Sequence, residues 1–272
     1  MRRAITLLAV VPWAWCVLVA VLDRRHRLSL DDVEPLADGP LVSVIVPARD
    51  EERGVQAAIA SLAAQEYGAL EVIVVDDDSP DETWRIAAEM NNPNVKVIRR
   101  VSTRGLASAF NRGILESRGQ VVCWMDADMC MPPALLPAMI DKLKEVDIVI
   151  GSRYVEGALD DRDPLRVTAS RLINGLASLV LGYGIRDYDS GFVVLRRSVF
   201  DKVSIIPTGY GAYFMEFIYT CRSKGLTVYE LPYVFRDRTK GVSKSAPSLI
   251  KFLSTGSQYV LRIFVARLRR SD

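Results

Sequence analysis

Continuous runs of apolar, largely β-branched residues alternate with amphipathic segments along the middle of the chain. The runs lie at residues 42–47, 70–76, 95–99, 120–126 and 147–152, and segments with helical spacing lie at about 52–65, 80–90, 104–118 and 133–145. Runs that are apolar throughout are typical of strands buried on both faces. The pattern therefore predicts an α/β domain of the nucleotide-binding type, with helices on both faces of a parallel sheet.

The N-terminal segment is apolar and has basic residues at both ends. Ala4–Leu22 has no charged side chain, and as a helix it is about 28 Å long, close to the thickness of a bilayer core. We predict an uncleaved membrane anchor over residues 1–27, with a cleaved signal peptide or a helix buried in protein as the alternatives. Residues 28–40 are acidic and broken by proline and glycine, which predicts a linker.

The C-terminal segment, residues 246–272, is predicted to form an amphipathic, basic helix at about 252–268. It mixes large apolar residues such as Phe264 and Leu268 with Arg262, Arg267 and Arg269. Such a helix suits the surface of an anionic bilayer, so membrane lipids are expected partners. The alternative is that its apolar face packs against the domain, which is expected to span residues 41–245.

Charge and cysteine content exclude some classes of protein. The 272 residues carry 35 basic and 33 acidic side chains, a formal net charge of +2, so no overall field favours nucleic acid as a partner. The four cysteines lack the paired spacing of zinc sites or disulfide frameworks. A reducing compartment is therefore expected.

Acidic residues follow three of the predicted strands. They occur in the segments Arg49–Glu51, Asp76–Asp78 and Asp126–Asp128. Ligands of open parallel sheets bind beyond the carboxyl ends of the strands, and no glycine-rich phosphate loop is found at these positions. A divalent cation held by carboxylates is the expected means of binding phosphate.

Asp126 and Asp128 form the candidate metal site. Residues two apart in an extended chain project the same way, so both carboxylates can converge on one Mg²⁺ or Mn²⁺ ion while Ala127 leaves room for a ligand. A cation there would bridge the protein to a diphosphate. The alternative is that the two aspartates cap the following helix or face water.

Several motifs occur together and in order across residues 42–245. They are V-x-V-P-A-R-D-E at the first strand, VIVVDDDSPDET at 72–83, TRGLASAFNRG at 103–113, MDADM at 125–129, GSRYVEG at 151–157, SRLIN at 170–174, DSGF at 189–192 and RTKGVSK at 238–244. This set resembles the family-2 glycosyltransferases of the GT-A fold, and among them the polyprenyl-phosphate glycosyltransferases. The resemblance implies a Rossmann-like mixed sheet flanked by helices that binds a nucleotide sugar.

The resemblance also implies roles for individual residues. Pro47, Arg49, Glu51, Val75 and Asp77 are expected around the donor nucleotide, and Asp126, Ala127 and Asp128 at its diphosphate with Mg²⁺ or Mn²⁺. Arg153, Arg238 and Lys244 are expected to bind the donor diphosphate or the acceptor phosphate, because guanidinium and ammonium groups match phosphate oxygens. With Asp128, these three are the candidate catalytic residues.

The implied reaction is inverting transfer of a mannose- or glucose-like sugar from a GDP- or UDP-sugar to dolichyl or undecaprenyl monophosphate. A phosphate acceptor is already an anion and needs little help from a general base. If the acceptor is instead a lipid or glycan hydroxyl, a carboxylate is required, and Asp187, Asp189 and Glu216 are the candidates. A non-catalytic protein that binds sugar nucleotides is a further alternative.

Several positions depart from the family pattern. Arg49 replaces an aromatic residue and Cys130 replaces a glutamine counted among the metal ligands, while Asp78 and Glu82 stand where glycines are typical. Asp189 replaces a small hydroxyl residue, and Val193 an arginine. A thiol suits Mg²⁺ badly, so Cys130 is expected to be a buried, inert thiol. Because sugar nucleotides are cytosolic, we expect a membrane-anchored protein with its catalytic domain facing the cytoplasm.

Overall fold

The structure, a computed structural model, describes residues 39–65, 67–128, 130–207, 212–236 and 249–269. The strands are β1 Val42–Ala48, β2 Leu70–Asp76, β3 Val95–Arg99, β4 Val121–Trp124, β5 Ile148–Ser152, β6 Leu159–Asp161, β7 Val193–Arg196, β8 Val228–Pro232 and β9 Val234–Arg236. The α-helices are α1 Val55–Ala63, α2 Thr83–Glu89, α3 Leu106–Glu116, α4 Leu136–Lys142, α5 Pro164–Leu181, α6 Tyr213–Ser223 and α7 Leu249–Leu268, and short 3₁₀ turns lie at Pro133–Leu135 and Arg197–Asp201.

The main sheet is mixed. Within the described residues its strand order is β3-β2-β1-β4-β7-β5-β8. Strand β7 runs antiparallel to both neighbours, β4 and β5, whereas the other adjacent pairs are parallel. Strands β1, β2 and β4 therefore end at one edge, as predicted from the acidic segments that follow them.

Helices cover both faces of the sheet, as predicted. Alternate residues of β1 point to opposite faces: Ile45 joins a core that includes helices α3, α5 and α6, while Val44 and Val46 join a core that includes α1 and α4. Both faces of β1 are completely buried. This explains why the run has no polar alternation.

Close contacts fix the distance between helix α3 and strand β1. Gly113 of α3 faces Ile45, and a Cβ at Gly113 would lie 2.4 Å from the Ile45 Cγ2 atom. Only a residue without a side chain fits there, so α3 can pack directly on the sheet.

The C-terminal helix α7 packs against the domain. It contacts α5 and α6, and Ile263 and Ala266 are buried in their core. Glu216 of α6 is buried and forms ion pairs with Arg262 at 3.0 Å and Arg269 at 2.5 Å. Of the two arrangements expected for this segment, the structure shows packing on the domain.

The expected anchor at residues 1–27, most of the linker, and both Arg238 and Lys244 lie outside the described residues. The helices in the described part of the chain are all too short or too polar to cross a bilayer.

Candidate active site

The loops after β1 and β2 are joined by hydrogen bonds at the carboxyl edge of the sheet. Arg49 donates from Nη1 to the Asp77 carbonyl at 2.9 Å. The backbone amides of Asp50 and Glu51 donate to the hydroxyls of Ser79 and Thr83, at 3.1 and 2.9 Å. Arg49, Glu51 and Asp77, predicted to surround the donor nucleotide, are thus brought together in one region.

Pro47 and Val75 pair in register on neighbouring strands. Both are buried, and Val75 lies in the hydrophobic core. They therefore lie side by side at the ends of two strands, beneath the loops. Their predicted contact with a nucleotide stays a prediction.

Asp77 forms a buried ion pair with Arg100 that was not predicted from the sequence. Its Oδ1 accepts from Arg100 Nε at 2.7 Å, and its Oδ2 accepts from the Gly105 amide at 2.7 Å. Arg100 also donates to Ser108 of α3 at 3.0 Å. Asp77 therefore fixes the loop that leads from β3 into α3, and the position of Arg100 directly after β3 was the only sequence signal for this pair.

An open cavity of about 400 Å³ lies beside these loops. It is lined by Arg49, Asp78, Ser79, Pro80, Glu82, Trp84, Arg99 and Arg104. Asp78 lies 2.6 Å from Arg99 and 3.4 Å from Arg104, and the Arg99 guanidinium lies 4.3 Å from the centre of the Trp84 ring. Hydrogen bonding and charge from Arg99 lower the pKa of Asp78, so this carboxyl is anionic at neutral pH.

The acidic pair follows β4 in a tight loop. Asp126 and Asp128 are half-buried, whereas Ala127 between them is buried. The Cys130 amide donates to Asp128 Oδ1 at 3.0 Å, and the Asp126 amide lies 3.4 Å from the Met131 sulfur. Residues 127 and 128 form a turn and not the extended chain that was expected, so strand alternation does not apply here and the convergence of the two carboxylates stays a prediction.

The donor atoms of this pair fit a hard divalent cation. Mg²⁺ is commonly held by one or two carboxylates, with substrate phosphates and water completing its shell. In the described part of the chain, no group of three or more histidine, cysteine, aspartate or glutamate side chains is arranged to hold a metal. Asp126 and Asp128 could thus supply two ligands and leave the other positions to a diphosphate.

Cys130 is buried beneath the loop. Its Sγ atom lies 4.0 Å from the Asp128 carbonyl oxygen. This position agrees with the expected buried thiol.

Arg153 follows β5 and is held by Asp187. Its backbone amide and Nε both donate to Asp187 Oδ2 at 2.8 Å, and its Nη2 donates to Asp187 Oδ1 at 2.7 Å and to the Asp189 carbonyl at 2.9 Å. Burial alone would lower the pKa of Arg153, but the Asp187 carboxylate raises it well above its usual value. The guanidinium is therefore a permanent, oriented positive charge, and its predicted phosphate contact stays a prediction.

Asp189 ionises near neutral pH. Burial raises its pKa to about 6, opposed by the Arg153 charge and by a hydrogen bond from Tyr259 of α7. Its carboxylate lies 4.0 Å from the Arg153 guanidinium. The contact with Tyr259 links the C-terminal helix to the site, and nothing in the local sequence around either residue indicated it.

Two buried tyrosines lie within electrostatic range both of Asp126 and of the group formed by Arg153, Asp187 and Asp189, here called the Arg153 cluster. Burial, and next the charges of Asp126 and Asp189, raise the pKa of Tyr213. Burial also raises the pKa of Tyr233. The positive charge of Arg153 lowers this pKa, and the negative charge of Asp126 raises it. Asp126 and the Arg153 cluster therefore lie within electrostatic range of the same side chains.

The comparison with protein-family models gives one match over most of the domain. Residues 43–204 match the model of Glycosyl transferase family 2. The chain belongs to this family.

Two curated relatives of the family 2 chain are polyprenyl-phosphate sugar transferases by name. It is 37% identical over 209 residues to the dolichol-phosphate mannosyltransferase of Pyrococcus furiosus, an alignment covering 75% of this chain and 58% of that protein. It is 31% identical over 243 residues to the polyprenol monophosphomannose synthase of Mycolicibacterium smegmatis, covering 86% of this chain and 91% of that one. The chain thus spans a little over half of the archaeal relative and nearly all of the mycobacterial one.

Solved structures share the fold of this family 2 chain. Glucosyl-3-phosphoglycerate synthase from Mycobacterium tuberculosis, in complex with Mn²⁺, UDP and glucosyl-3-phosphoglycerate, superposes with a TM-score of 0.65 at 19% identity, over 89% of this chain and 85% of that one. The same enzyme with Mn²⁺, UDP and phosphoglyceric acid gives a TM-score of 0.67 at 18% identity, over 90% and 85%. These likenesses support the mixed α/β sheet described above.

Backbone geometry explains two departures from the family pattern. Asp78 and Glu82, which stand where glycines are typical, have φ angles of 58° and 59°. This left-handed region is the one that glycine enters without steric cost. The loop therefore has a conformation that suits glycine at both positions, while the two residues present place carboxylates at the cavity.

Proposed function

We propose that this family 2 protein transfers a mannose- or glucose-like sugar, with inversion, from a GDP- or UDP-sugar to a polyprenyl monophosphate. The observation that carries the proposal is the position of Asp126 and Asp128 directly after β4, at the same edge of the sheet as the loops after β1 and β2, with the Asp126 charge acting on Tyr233, which also senses Arg153. The names of the archaeal and mycobacterial relatives support dolichyl or undecaprenyl phosphate as the acceptor.

The proposed donor site runs along the carboxyl edge of the sheet. Pro47, Arg49, Glu51, Val75 and Asp77 border the nucleotide, and the open cavity beside Arg49 and Asp78 is large enough for a base. Asp126, Ala127 and Asp128 would hold Mg²⁺ or Mn²⁺ at the diphosphate. When bound, the cation supplies positive charge where the leaving diphosphate gains negative charge.

The proposed catalytic residues act by holding positive charges in fixed positions, and none of them transfers a proton. Asp187 holds Arg153 in one orientation, so its positive charge needs no rearrangement during transfer. Arg238 and Lys244, outside the described residues, are proposed to bind phosphate as well. An acceptor phosphate is already an anion, so positioning and leaving-group stabilisation account for most of the rate.

We also propose the domain arrangement predicted from the sequence. Residues 1–27 anchor the chain in the membrane, 28–40 form a linker, 41–245 form the catalytic domain facing the cytoplasm, and 246–272 include the basic C-terminal helix. The reason is chemical and follows from the proposed reaction: a water-soluble donor and a lipid acceptor require the site to meet a bilayer from the side that holds nucleotide sugars.

The first experiment measures transfer of radiolabelled sugar from GDP- and UDP-sugars to dolichyl phosphate, undecaprenyl phosphate and hydroxyl acceptors. We expect product with a polyprenyl phosphate, and a loss of at least 100-fold in Asp128→Asn. Asp141→Asn, at an exposed position of α4, is the matched control. Labelled product only with hydroxyl acceptors contradicts the proposal, and donor binding without any turnover indicates a binding protein.

A second candidate function is transfer to a hydroxyl, with Asp189 as the general base. The raised pKa of this carboxyl, about 6, is the observation that favours it, because a general base works best when its pKa is near the working pH. In that case the rate rises with pH through about 6, and Asp189→Asn abolishes the rise. A polyprenyl phosphate acceptor predicts activity that survives Asp189→Asn.

A further inference from the structure

Glu230, on strand β8, binds two consecutive backbone amides of the loop between α5 and β7. The Arg186 amide donates to Glu230 Oε2 at 2.8 Å, and the Asp187 amide donates to Glu230 Oε1 at 2.9 Å. The hydroxyl of Ser152 also donates a hydrogen bond to this carboxylate. Donors from two separate segments of the chain therefore meet on one side chain.

These two segments are the ones that form the Arg153 cluster. Ser152 is the last residue of β5 and directly precedes Arg153, and Asp187 accepts hydrogen bonds from the Arg153 backbone amide, Nε and Nη2. Strands β5 and β8 are parallel neighbours, with Ile150 opposite Glu230. Glu230 and Ser152 therefore lie on the same face of the sheet, where the end of β5 meets the loop with Asp187.

The loop with Asp187 has no helix or strand between residues 182 and 192. It begins with Gly182, Tyr183 and Gly184, whose φ angles are 77°, 62° and 73°, so the chain leaves α5 in the left-handed region of backbone space. Such a backbone persists only where its surroundings fix it. Glu230 fixes two amides of this loop, one of which belongs to the residue that holds Arg153.

Only a carboxylate can make both amide bonds. Each Glu230 oxygen accepts from a different amide, whereas a glutamine would offer one oxygen and place an NH₂ donor against the second N–H. Burial raises the pKa of Glu230, and the hydrogen bonds from Arg186, Ser152 and Asp187 oppose this rise. The arrangement therefore depends on a second oxygen acceptor, which a neutral amide of the same shape lacks.

We propose that Glu230 is a positioning residue for sugar transfer: it fixes Asp187 and the end of β5 relative to each other and so sets the orientation of the Arg153 guanidinium. Its carboxylate acts through these neighbours and needs no contact with substrate. The inference rests on the proposed function for the use of Arg153 in transfer, although the orientation of Arg153 can be measured without it. Fixed charge stabilises a transition state only where its position is correct, so a displaced Arg153 lowers kcat.

The first test compares Glu230→Gln with Asp147→Asn in the full chain. Asp147 is the matched control, because its carboxylate accepts from the Thr227 amide at 2.8 Å and joins the same two strands at their other ends, just before β5 and β8. Both substitutions replace a carboxylate that accepts from backbone with an amide of the same shape.

We expect kcat for transfer to a polyprenyl phosphate to fall about ten-fold or more in Glu230→Gln and less than about two-fold in Asp147→Asn, because only the first displaces a charge at the site. The KM for the donor should change less than about three-fold in both, which is the mark of a contribution made in the transition state. Equal losses of kcat in the two variants overturn the proposal.

Coupling to Asp187 separates positioning from a general loss of stability. If Glu230 acts through Asp187, Glu230→Gln lowers kcat less than about three-fold in a chain that already carries Asp187→Asn, whereas independent effects multiply in full. A ten-fold loss in both backgrounds overturns the proposal. If Glu230→Gln does not fold, Ser152→Ala removes only the hydroxyl bond to Glu230; we expect kcat to fall about two-fold or more, and an unchanged kcat overturns the proposal.

A second measurement follows Arg153 without sugar transfer. The Arg153 Nε–H group donates to Asp187, so its proton exchanges slowly with water, and its nitrogen-15 NMR signal is identified by its loss in Arg153→Lys. We expect Glu230→Gln to speed this exchange about five-fold or more and Asp147→Asn less than about two-fold, because exchange requires the local contact to open. Unchanged exchange in Glu230→Gln overturns the positioning role. Faster exchange together with no transfer by the unmodified chain to any acceptor supports the positioning of Arg153 and overturns the proposed function instead.

Discussion

Gly54, at the start of α1, touches the loop that carries the acidic pair. A Cβ at this position would lie 2.9 Å from the Ala127 carbonyl oxygen and 3.8 Å from the Asp128 Cα. The first distance is too short, and the neighbour is backbone that cannot rotate away. Gly54 therefore determines how closely the helix approaches the proposed metal site.

We expect Gly54→Ala to displace the loop by a few tenths of an ångström and to lower kcat/KM about ten-fold or more, because small misplacements of catalytic groups are costly. The apparent KM for Mn²⁺ should rise with it. Gly175→Ala is the control, since a Cβ there meets no atom within 4 Å; this change within α5 should stabilise the fold by about 0.5–1 kcal/mol. Normal Mn²⁺ dependence in Gly54→Ala would show that the loop tolerates the shift.

Asp189 makes the stability of the folded state depend on pH. Its pKa is raised to about 6 from the ordinary value of 3.8, so the folded state holds this proton more tightly than the unfolded state does. The resulting stabilisation is complete below about pH 4 and is lost as the pH rises through 6.

Asp189→Asn removes this loss, because its amide does not ionise. Relative to the unmodified chain, we expect the variant to gain about 1–3 kcal/mol in free energy of unfolding between pH 4.5 and pH 7.5, since one pKa unit corresponds to about 1.4 kcal/mol. Urea denaturation at the two pH values measures the difference, with Asp141→Asn as the exposed control. An equal free-energy difference at both pH values would mean that the carboxyl ionises normally.

Among the elements, those formed by long apolar runs could be predicted from the sequence. Strands β1 to β5 lie within two residues of the predicted bounds. Helices α1 to α4 begin and end one to three residues inside the predicted helical segments. Strand β7, only Val193–Arg196, was not predicted, because four residues carry too little periodicity to distinguish strand from loop. Its antiparallel pairing with β4 and β5 is a long-range contact that local pattern does not encode.

Helix α7 is attached to the domain by a buried charge. Glu216 is 3% exposed and forms ion pairs with Arg262 and Arg269 of α7. Its Oε1 atom accepts a hydrogen bond from Arg269, whereas its Oε2 atom is close to Arg262 without a hydrogen bond. A buried ion pair adds little to stability by itself, but removing one partner leaves the other charge buried and uncompensated. Glu216 therefore determines whether α7 can stay docked.

We expect Glu216→Ala to lower the free energy of unfolding by about 3–5 kcal/mol and to raise amide hydrogen exchange in α7 more than in α3. Glu89→Ala is the contrasting change, because Glu89 pairs with Arg85 at 2.8 Å on the surface and its loss should cost at most about 0.5 kcal/mol. Urea denaturation and exchange mass spectrometry give the two readouts. Unaltered exchange in α7 would show that apolar packing alone holds the helix.

At the scale of the whole molecule, the sequence indicated where the site lies but not how it is held together. The position of Asp126 and Asp128 followed from strand order, because parallel strands end at one edge. The pairs Asp77–Arg100 and Arg153–Asp187 join residues that are 23 and 34 positions apart in the sequence. The hydrogen bond from Tyr259 to Asp189 joins residues 70 positions apart. Such partners depend on the folded arrangement, so a single sequence cannot identify them.

The proposed metal site should bind its cation together with the donor rather than before it. Two carboxylates leave most of the coordination shell to other ligands, and the described residues contain no cluster of three metal-binding side chains. A diphosphate supplies the missing oxygens, so cation and nucleotide should stabilise the whole domain cooperatively.

We expect Mn²⁺ alone to raise Tm by about 1 °C or less, and Mn²⁺ with GDP or UDP to raise it by about 5–10 °C, since saturation at 100 times Kd contributes about 2.7 kcal/mol. The nucleotide that gives the larger shift identifies the donor base. Asp126→Asn and Asp128→Asn should each abolish the extra rise in Tm that Mn²⁺ and nucleotide give together, leaving only the small rise from nucleotide alone. Asp141→Asn should keep the full rise in Tm. A full shift with Mn²⁺ alone would indicate a closed site built from protein ligands, and would place further ligands near the acidic pair.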